Sequence, residues 1–342
     1  MDIQENVSLA DYSTMRLGGP ARYLAEAGSD EDVQRLVQWA KQRHLPYRMI
    51  GQGSNIVWRD EGFSGLVIIN KLMGHEVLQE DEQSLTLRAG GGEKWDDIVA
   101  WSVGKGLSGI EFLSAIPGTV GGAPVQNIGA YGAELANTLI EVEAYDSQDD
   151  SFVGIRKEDC QFAYRMSRFK GADHGRFMIL AVTLRLRKAK PQPPFYESLQ
   201  KYFDEHHITE FTPAAVRAAV IAIRKIRLPD PSVVNNNGSF FTNPIISQAQ
   251  FDELKVKYSE IKGWPANDGK VKVSAGWLVE QAGFKGLHDE PTGMATWEPN
   301  ALVLINEHAR STKDLLEFKQ KIVFKVDELF GIVLDQEPEL LP

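Results

Sequence analysis

Residues Ile116 to Gly132 read IPGTVGGAPVQNIGAYG, a run that an ordinary core element does not explain. It sets five glycines, Gly118, Gly121, Gly122, Gly129 and Gly132, among Pro117, Thr119 and Asn127. So much backbone freedom is lost at an entropic cost on folding, which suggests that the chain wraps closely around something here. Small residues also let backbone N–H groups approach a phosphate. A second glycine-rich stretch, Gly51-Gln52-Gly53-Ser54-Asn55, adds side-chain donors at Ser54 and Asn55. Neither stretch has the spacing of a Rossmann or Walker loop. For GQGSN, a plain hairpin turn between two extended runs is the competing reading.

Working outward, Ser29 is placed to cap a helix carrying Val33, Leu36, Val37 and Ala40 at helical spacing, followed by the extended run PYRMI. The runs 66–70 (LVIIN), 84–90 (SLTLRAG), 139–146 (LIEVEAYD) and 177–187 (FMILAVTLRLR) read as strands, with a helix around Trp95, Ile98, Val99 and Ser102 between them. The segment 188–194, KAKPQPP, reads as a connector. Beyond it, Thr212-Pro213 has the order of a helix start. Ser247 to Gln250 fits a capping box, and a long helix from Ser311 to Phe330 should stop at Gly331.

A chain of 342 residues with 43% hydrophobic content suggests two or three domains. Forty-seven acidic against 37 basic residues give a net charge of −10, which disfavours nucleic acid as the main partner. The single cysteine, Cys160, permits no intramolecular disulfide and fits a reducing cytoplasm. No apolar run approaches the roughly 18 residues of a membrane span, so a soluble cytoplasmic protein is expected. The seven histidines are scattered without zinc-like spacing, and no metal is expected.

One more stretch asks for a reason: Asn235-Asn236-Asn237-Gly238-Ser239-Phe240-Phe241, downstream of RLPDP. Taken alone it reads as a turn opening a buried strand.

In order along the chain, TMRLGGPA (14–21), GQGSN, IPGTVGGAPVQNIGAYG, YRMSRF (164–169), LPDP, GSFFTNP and the C-terminal LDQEPE together resemble the UDP-N-acetylenolpyruvoylglucosamine reductases, with the segment 190–212 resembling their longer, tyrosine-loop subclass. The resemblance spans nearly the whole chain. It implies an α+β fold: a two-lobed FAD-binding domain of the vanillyl-alcohol-oxidase (PCMH) type and a separate α+β substrate-binding domain. The implied boundaries are 1–65 for the first lobe, with 326–342 returning to the active site, 66–190 for the second lobe, 191–226 for the tyrosine-loop segment and connecting helix, and 227–325 for the substrate domain.

The same resemblance implies FAD and NADPH as cofactors, UDP-N-acetylglucosamine enolpyruvate as substrate, and a monomer. Arg165, Ser239 and Glu337 match the catalytic positions: Arg165 for the substrate carboxylate, Ser239 as proton donor, and Glu337 as the motif carboxylate, with Glu339 the alternative if the register slips by two. Gly51, Gly53, Ser54, Asn55, Pro117, Gly118, Thr119, Gly121, Gly122 and Asn127 match cofactor-binding positions. Tyr164, Tyr196, Arg227, Asn243 and Asn300 match substrate contacts, with Tyr202 competing with Tyr196 as the mobile tyrosine. NNNGS replaces the more usual Gly-Asn-Ala-Gly-Ser, and Arg227 stands where lysine is expected, which keeps the charge but not the point-like geometry of an ammonium. Two other readings follow from the same residues: another FAD-dependent oxidase or dehydrogenase of this fold, and a flavin or nucleotide-sugar binder without turnover.

Overall fold

Ser29 opens the first helix as its position predicts, its hydroxyl accepting the N–H of Asp32 at 3.2 Å. Val33, Leu36, Val37 and Ala40 form the buried stripe of that helix, Asp30–Gln42. The structure is a computed structural model that describes residues 2–342. The chain divides into two compact units. The first comprises the residues up to Val7, Ala21–Gln52 and Phe63–Lys225; the second comprises Ser8–Pro20, Gly53–Gly62 and Ile226–Pro342.

Unit one holds two sheets. In the four-stranded sheet the order is Ile3–Ser8, Pro20–Ala27, Phe63–Asn70, Tyr47–Ile50, and Phe63–Asn70 pairs in parallel with both of its neighbours. Seven of its eight residues are buried, the near-continuous apolar run that a central parallel strand requires. The expected strand at 66–70 therefore begins three residues earlier. The five-stranded sheet is antiparallel throughout, in the order Ser151–Arg156, Leu139–Asp146, Phe177–Arg187, Ser84–Gly90, His75–Glu80. Three of these strands have the bounds expected from sequence. The helix Trp95–Gly104 buries Trp95, Ile98 and Val99 in one core with Leu87, Val182 and Leu184.

After the connector come two helices, Glu197–Glu205 and Pro213–Arg227, joined through Leu199, Phe203, Val216, Ala219 and Val220. Thr212 Oγ1 accepts the N–H of Ala215 at 3.1 Å, the cap expected of the Thr-Pro pair.

Unit two carries an antiparallel sheet in the order Asn235–Ser239, Asn300–Asn306, Met294–Trp297, His288–Asp289, and a three-stranded sheet in the order Ile245–Ser247, Lys270–Val273, Gly263–Pro265. The helix Thr312–Phe330 has a full capping box between Ser311 and Asp314, and stops at Gly331 with φ +62°. At Ser247 only half of the expected capping box forms. Its hydroxyl accepts the Gln250 N–H, but the Gln250 amide donates instead to the Gly331 carbonyl at 3.1 Å. That oxygen lies at the C-terminal end of the long helix, where helical carbonyls lack intrahelical donors.

The hairpin alternative for GQGSN fails. Tyr47–Ile50 belongs to the four-stranded sheet, whereas Ile56–Trp58 pairs in parallel with Glu339–Leu341, near the other end of the chain. Among the described residues no helix is long and apolar enough to cross a membrane.

Candidate active site

Within unit one the two glycine stretches meet. A Cβ on Gly51 would stand 2.3 Å from Thr119 Oγ1, and the N–H of Gly118 donates to Gln52 Oε1 at 3.2 Å. Gly118 has φ +124°, a conformation that favours glycine. Its carbonyl accepts the N–H of Trp95 at 3.0 Å, so the loop is fixed to the start of a helix. Gly121 donates to the Gly91 carbonyl at 2.9 Å. The hydroxyl of Thr119 is buried and has no hydrogen-bond partner among the described residues. An orphaned hydroxyl in a cradle of glycines fits a ligand rich in acceptor oxygens, such as the pyrophosphate of a dinucleotide.

Asn127 is fully buried, with φ +45°. Its amide donates to Glu134 Oε2 at 2.8 Å and to the Ala163 carbonyl at 3.2 Å, and its oxygen accepts the Ala136 N–H at 3.1 Å. These bonds tie the glycine run to the segment that bears Arg165. Ala163 and Met166 exchange backbone hydrogen bonds, which makes Tyr164-Arg165 the tip of a two-residue hairpin. Arg165 itself has φ +53°, an uncommon conformation for a residue with a side chain and one that clusters at functional sites. Its Nη2 donates to the Gly129 carbonyl at 2.7 Å, and a Cβ on Gly129 would lie 3.0 Å from Nη1. Its guanidinium lies 5.3 Å from the ring centroid of Tyr164.

The rings of Tyr131 and Tyr196 meet edge to face at 6.1 Å. Tyr196 is exposed at the start of Glu197–Glu205, whereas Tyr202 stacks on His206 at 4.0 Å. Arg224, on Pro213–Arg227, went unnoticed in the sequence because IRKIR looks like an ordinary solvated helix end. Burial lowers its pKa, and the nearby positive charge of Arg165 lowers it further, while Tyr131 and Asp96 oppose the shift.

Unit two gathers Gly53, Ser54, Asn55, Ser239, Glu337, Asn243 and Asn300, and holds Arg227 as well. Asn237 ties the segment that bears Ser239 to those around Thr14 and Ser54. Its buried amide donates to Thr14 Oγ1 at 3.1 Å and to the carbonyls of Ser54 and Ile56 at 3.2 and 3.3 Å. Asn236 Oδ1 accepts the N–H of Gly238, whose φ is +71°. The expected turn is therefore a strand, Asn235–Ser239, with a register shift between Asn236 and Ser239 that accommodates Gly238. Phe240 and Phe241 are fully buried in the core of unit two.

The C-terminal motif runs against this segment. Phe241 bridges Gln336 antiparallel, Thr242 N–H donates to the Asp335 carbonyl at 3.0 Å, and Glu337 N–H donates to the Phe240 carbonyl at 2.9 Å. The backbone of Glu337 thus lies within one residue of Ser239 in register. Glu339 instead donates its N–H to Asn55 at 2.9 Å, next to the GQGSN stretch. Asn243 Oδ1 accepts the N–H of Ala275 at 2.9 Å, and Asn300 Oδ1 accepts that of Leu302 at 3.2 Å. Arg227 is exposed at the end of its helix.

Comparison with known proteins gives these residues a lineage. Residues 21–153 match a family model described as an FAD binding domain, and residues 230–341 match the C-terminal domain of UDP-N-acetylenolpyruvoylglucosamine reductase. A reductase of that name from Pseudomonas aeruginosa is 37% identical over 340 residues, covering 99% of each chain. One from Alcanivorax borkumensis is 38% identical over 338 residues, covering 99% of this chain and 96% of the relative. The solved structure of UDP-N-acetylenolpyruvylglucosamine reductase from Thermus caldophilus superposes with a TM-score of 0.69 at 26% identity and full coverage of both chains. The FAD-binding domain and the separate α+β domain expected from the sequence are both borne out, and the chain belongs to the UDP-N-acetylenolpyruvoylglucosamine reductase family.

Proposed function

We propose that this chain is an FAD-dependent oxidoreductase that reduces the enolpyruvyl group of UDP-N-acetylglucosamine enolpyruvate with NADPH, yielding UDP-N-acetylmuramate for peptidoglycan synthesis. When bound, FAD supplies a two-electron carrier that accepts hydride from NADPH and delivers it to the enolpyruvyl methylene carbon. Gly51, Gly53, Ser54, Asn55, Pro117, Gly118, Thr119, Gly121 and Gly122 would line its pyrophosphate, with the buried Thr119 hydroxyl as a donor and Asn127 fixing the loop. Residues 1–65 and 66–190 form the two lobes, and 227–325 the substrate domain. The enzyme acts as a cytoplasmic monomer.

Ser239 delivers a proton from Oγ to the carbon adjacent to the methylene. A hydroxyl is a weak acid, but the carbanion-like centre it meets is strongly basic, so placement matters more than acidity. Arg165 binds the substrate carboxylate, toward which electron density moves, and a planar guanidinium can contact both oxygens. Tyr164, Asn243, Asn300 and Arg227 contact the nucleotide sugar, and Tyr196 closes over it, the exposed ring being freer to move than the stacked Tyr202. The observation that carries the catalytic reading is the backbone pairing of Phe240 with Glu337, which supports Ser239 and Glu337 as partners in proton delivery.

The test is an anaerobic visible spectrum of the FAD-loaded protein, after NADPH and again after the enolpyruvyl nucleotide. Bleaching followed by recovery of the oxidised bands is the expected result. Persistent bleaching would sink this choice of acceptor. The register of the C-terminal motif has its own test. Two residues move a strand by roughly 6.6 Å, so Glu337→Gln should slow the recovery phase by about 10²-fold or more, while Glu339→Gln stays within a few-fold of wild type. The reverse outcome would assign the role to Glu339.

A further inference from the structure

Asn237-Gly238 is the one place in the chain where a glycine follows an asparagine. In such a pair the backbone nitrogen of the glycine can attack the side-chain amide carbon of the asparagine, because no Cβ crowds its approach. A bond from that nitrogen to Cγ forms, the Cγ–Nδ2 bond breaks, and Nδ2 leaves as ammonia with the proton of the Gly238 N–H. Water then opens the resulting succinimide at either carbonyl, giving aspartate or, with one more carbon in the main chain, isoaspartate. No electrons are exchanged, and water is the only other reactant. The fold restrains every atom of this reaction. Asn237 is 6% exposed, within the strand Asn235–Ser239. The attacking nitrogen is engaged, the Gly238 N–H donating to Asn236 Oδ1 at 2.8 Å. The leaving nitrogen donates to Thr14 Oγ1 at 3.1 Å and to the carbonyls of Ser54 and Ile56 at 3.2 and 3.3 Å. Asn237 Oδ1, where negative charge develops as the nitrogen adds, is buried with no hydrogen-bond donor among the described residues, so that charge goes unstabilised.

We infer that Asn237 is a site of spontaneous deamidation which the native fold holds shut, and that its conversion disables the cofactor loop. The reaction waits for this segment to open locally and free Asn237 from Thr14 and Ser54. A carboxylate formed at 237 has no N–H for the carbonyls of Ser54 and Ile56 and sets negative charge against them. Ser54 and Asn55 then lose their brace to the strand that carries Ser239. Isoaspartate also lengthens the main chain two residues before Ser239. The loss of function rests on the reading of Gly51 to Asn55 as a cofactor loop, whereas the conversion itself is read by mass and stands apart from it.

The full-length protein, native and unfolded in urea, is aged in warm, mildly alkaline buffer, and Asn237 is followed by peptide mass mapping with isoaspartate detection. In urea Asn237 should convert faster than any other asparagine, since none of the others precedes a glycine. In the native protein the conversion should be at least about 10²-fold slower, because it waits on local opening. Thr14→Val removes one acceptor of the leaving amide and should speed the native conversion by about 3- to 10-fold, as loss of one hydrogen bond does, with the rate in urea unchanged. Gly238→Ala, whose Cβ meets nothing within 4 Å, should slow the conversion in urea and prolong FAD retention on ageing. Asn237→Asp, made directly, should raise the Kd of FAD for the apoprotein by about tenfold or more, measured by fluorescence quenching. Native conversion as fast as that in urea would overturn the shielding by the fold, and an unchanged native rate in Thr14→Val would remove Thr14 from it. Wild-type FAD affinity in Asn237→Asp would overturn the damage to the cofactor loop. A wild-type apoprotein that binds no FAD would sink the cofactor reading instead and leave the mass result standing.

Discussion

Replacing Ser239 by alanine should leave the loss of flavin absorbance on NADPH addition at its wild-type rate and slow the recovery on adding the enolpyruvyl nucleotide by about 10²- to 10⁴-fold, the usual cost of removing a positioned general acid. The fold should be indifferent to the change. Ser239 pairs with Val303 through the backbone, and the next residue is held from both sides, Phe240 donating to the Leu302 carbonyl at 2.8 Å and accepting from Glu337 at 2.9 Å. Phe240 and Phe241, buried at 0% and 1% exposure, anchor the segment whether or not a hydroxyl is present. Alanine therefore removes an oxygen and its proton from a fixed backbone, and the melting temperature should move by no more than a degree or two. Stopped-flow absorbance under anaerobic conditions separates the two phases. A recovery phase within about tenfold of wild type would remove Ser239 from the proton path. Ser239→Cys should retain part of the rate, since a thiol can donate a proton but is longer and softer.

The local structure around this serine could not have been read from NNNGSFF alone. Asparagine and glycine have strong turn chemistry, and the turn reading followed from it. What makes a strand instead is partners distant in sequence: Asn237 spends its amide on Thr14, Ser54 and Ile56, and Asn235 pairs with Asn306. Where helical periodicity was strong, as in Asp30–Gln42 and Thr312–Phe330, or a long run was rich in apolar and β-branched residues, as in Phe177–Arg187, the sequence was legible to within a residue or so. The parallel pairing of Ile56–Trp58 with Glu339–Leu341 left no periodic trace, because a three-residue strand is too short to show alternation. The same distinction holds in the site. Arg165 and Ser239 stood out because they sit in motifs, whereas Arg224 becomes visible only when folding brings Asp96, Arg165 and Tyr131 around it.

Gly53→Ala should cost the protein its flavin. Two physical terms act together at this position. The backbone has φ +71°, where a side chain costs about 1–2 kcal/mol. A Cβ there would also stand 2.0 Å from the carbonyl oxygen of Tyr12 and 2.7 Å from its carbon, backbone atoms that cannot swing aside as a side chain would. Thr14 holds the approach from the other direction, its N–H donating to the Gly53 carbonyl at 3.1 Å. The loop must therefore move by an ångström or so, roughly the gap between 2.0 Å and an ordinary contact, and Ser54 and Asn55 move with it. We expect a loss of at least about 3 kcal/mol in FAD binding, more than two powers of ten in Kd, measured by fluorescence titration of the apoprotein. Gly238→Ala is the matched control. It shares φ +71°, but a Cβ there meets nothing within 4 Å, so only the conformational cost applies and FAD affinity should stay within a few-fold of wild type. Equal flavin retention in the two variants would mean that the close approach at Gly53 is not what shapes the cofactor loop, and the assignment of Gly51 to Asn55 to the pyrophosphate would fall with it.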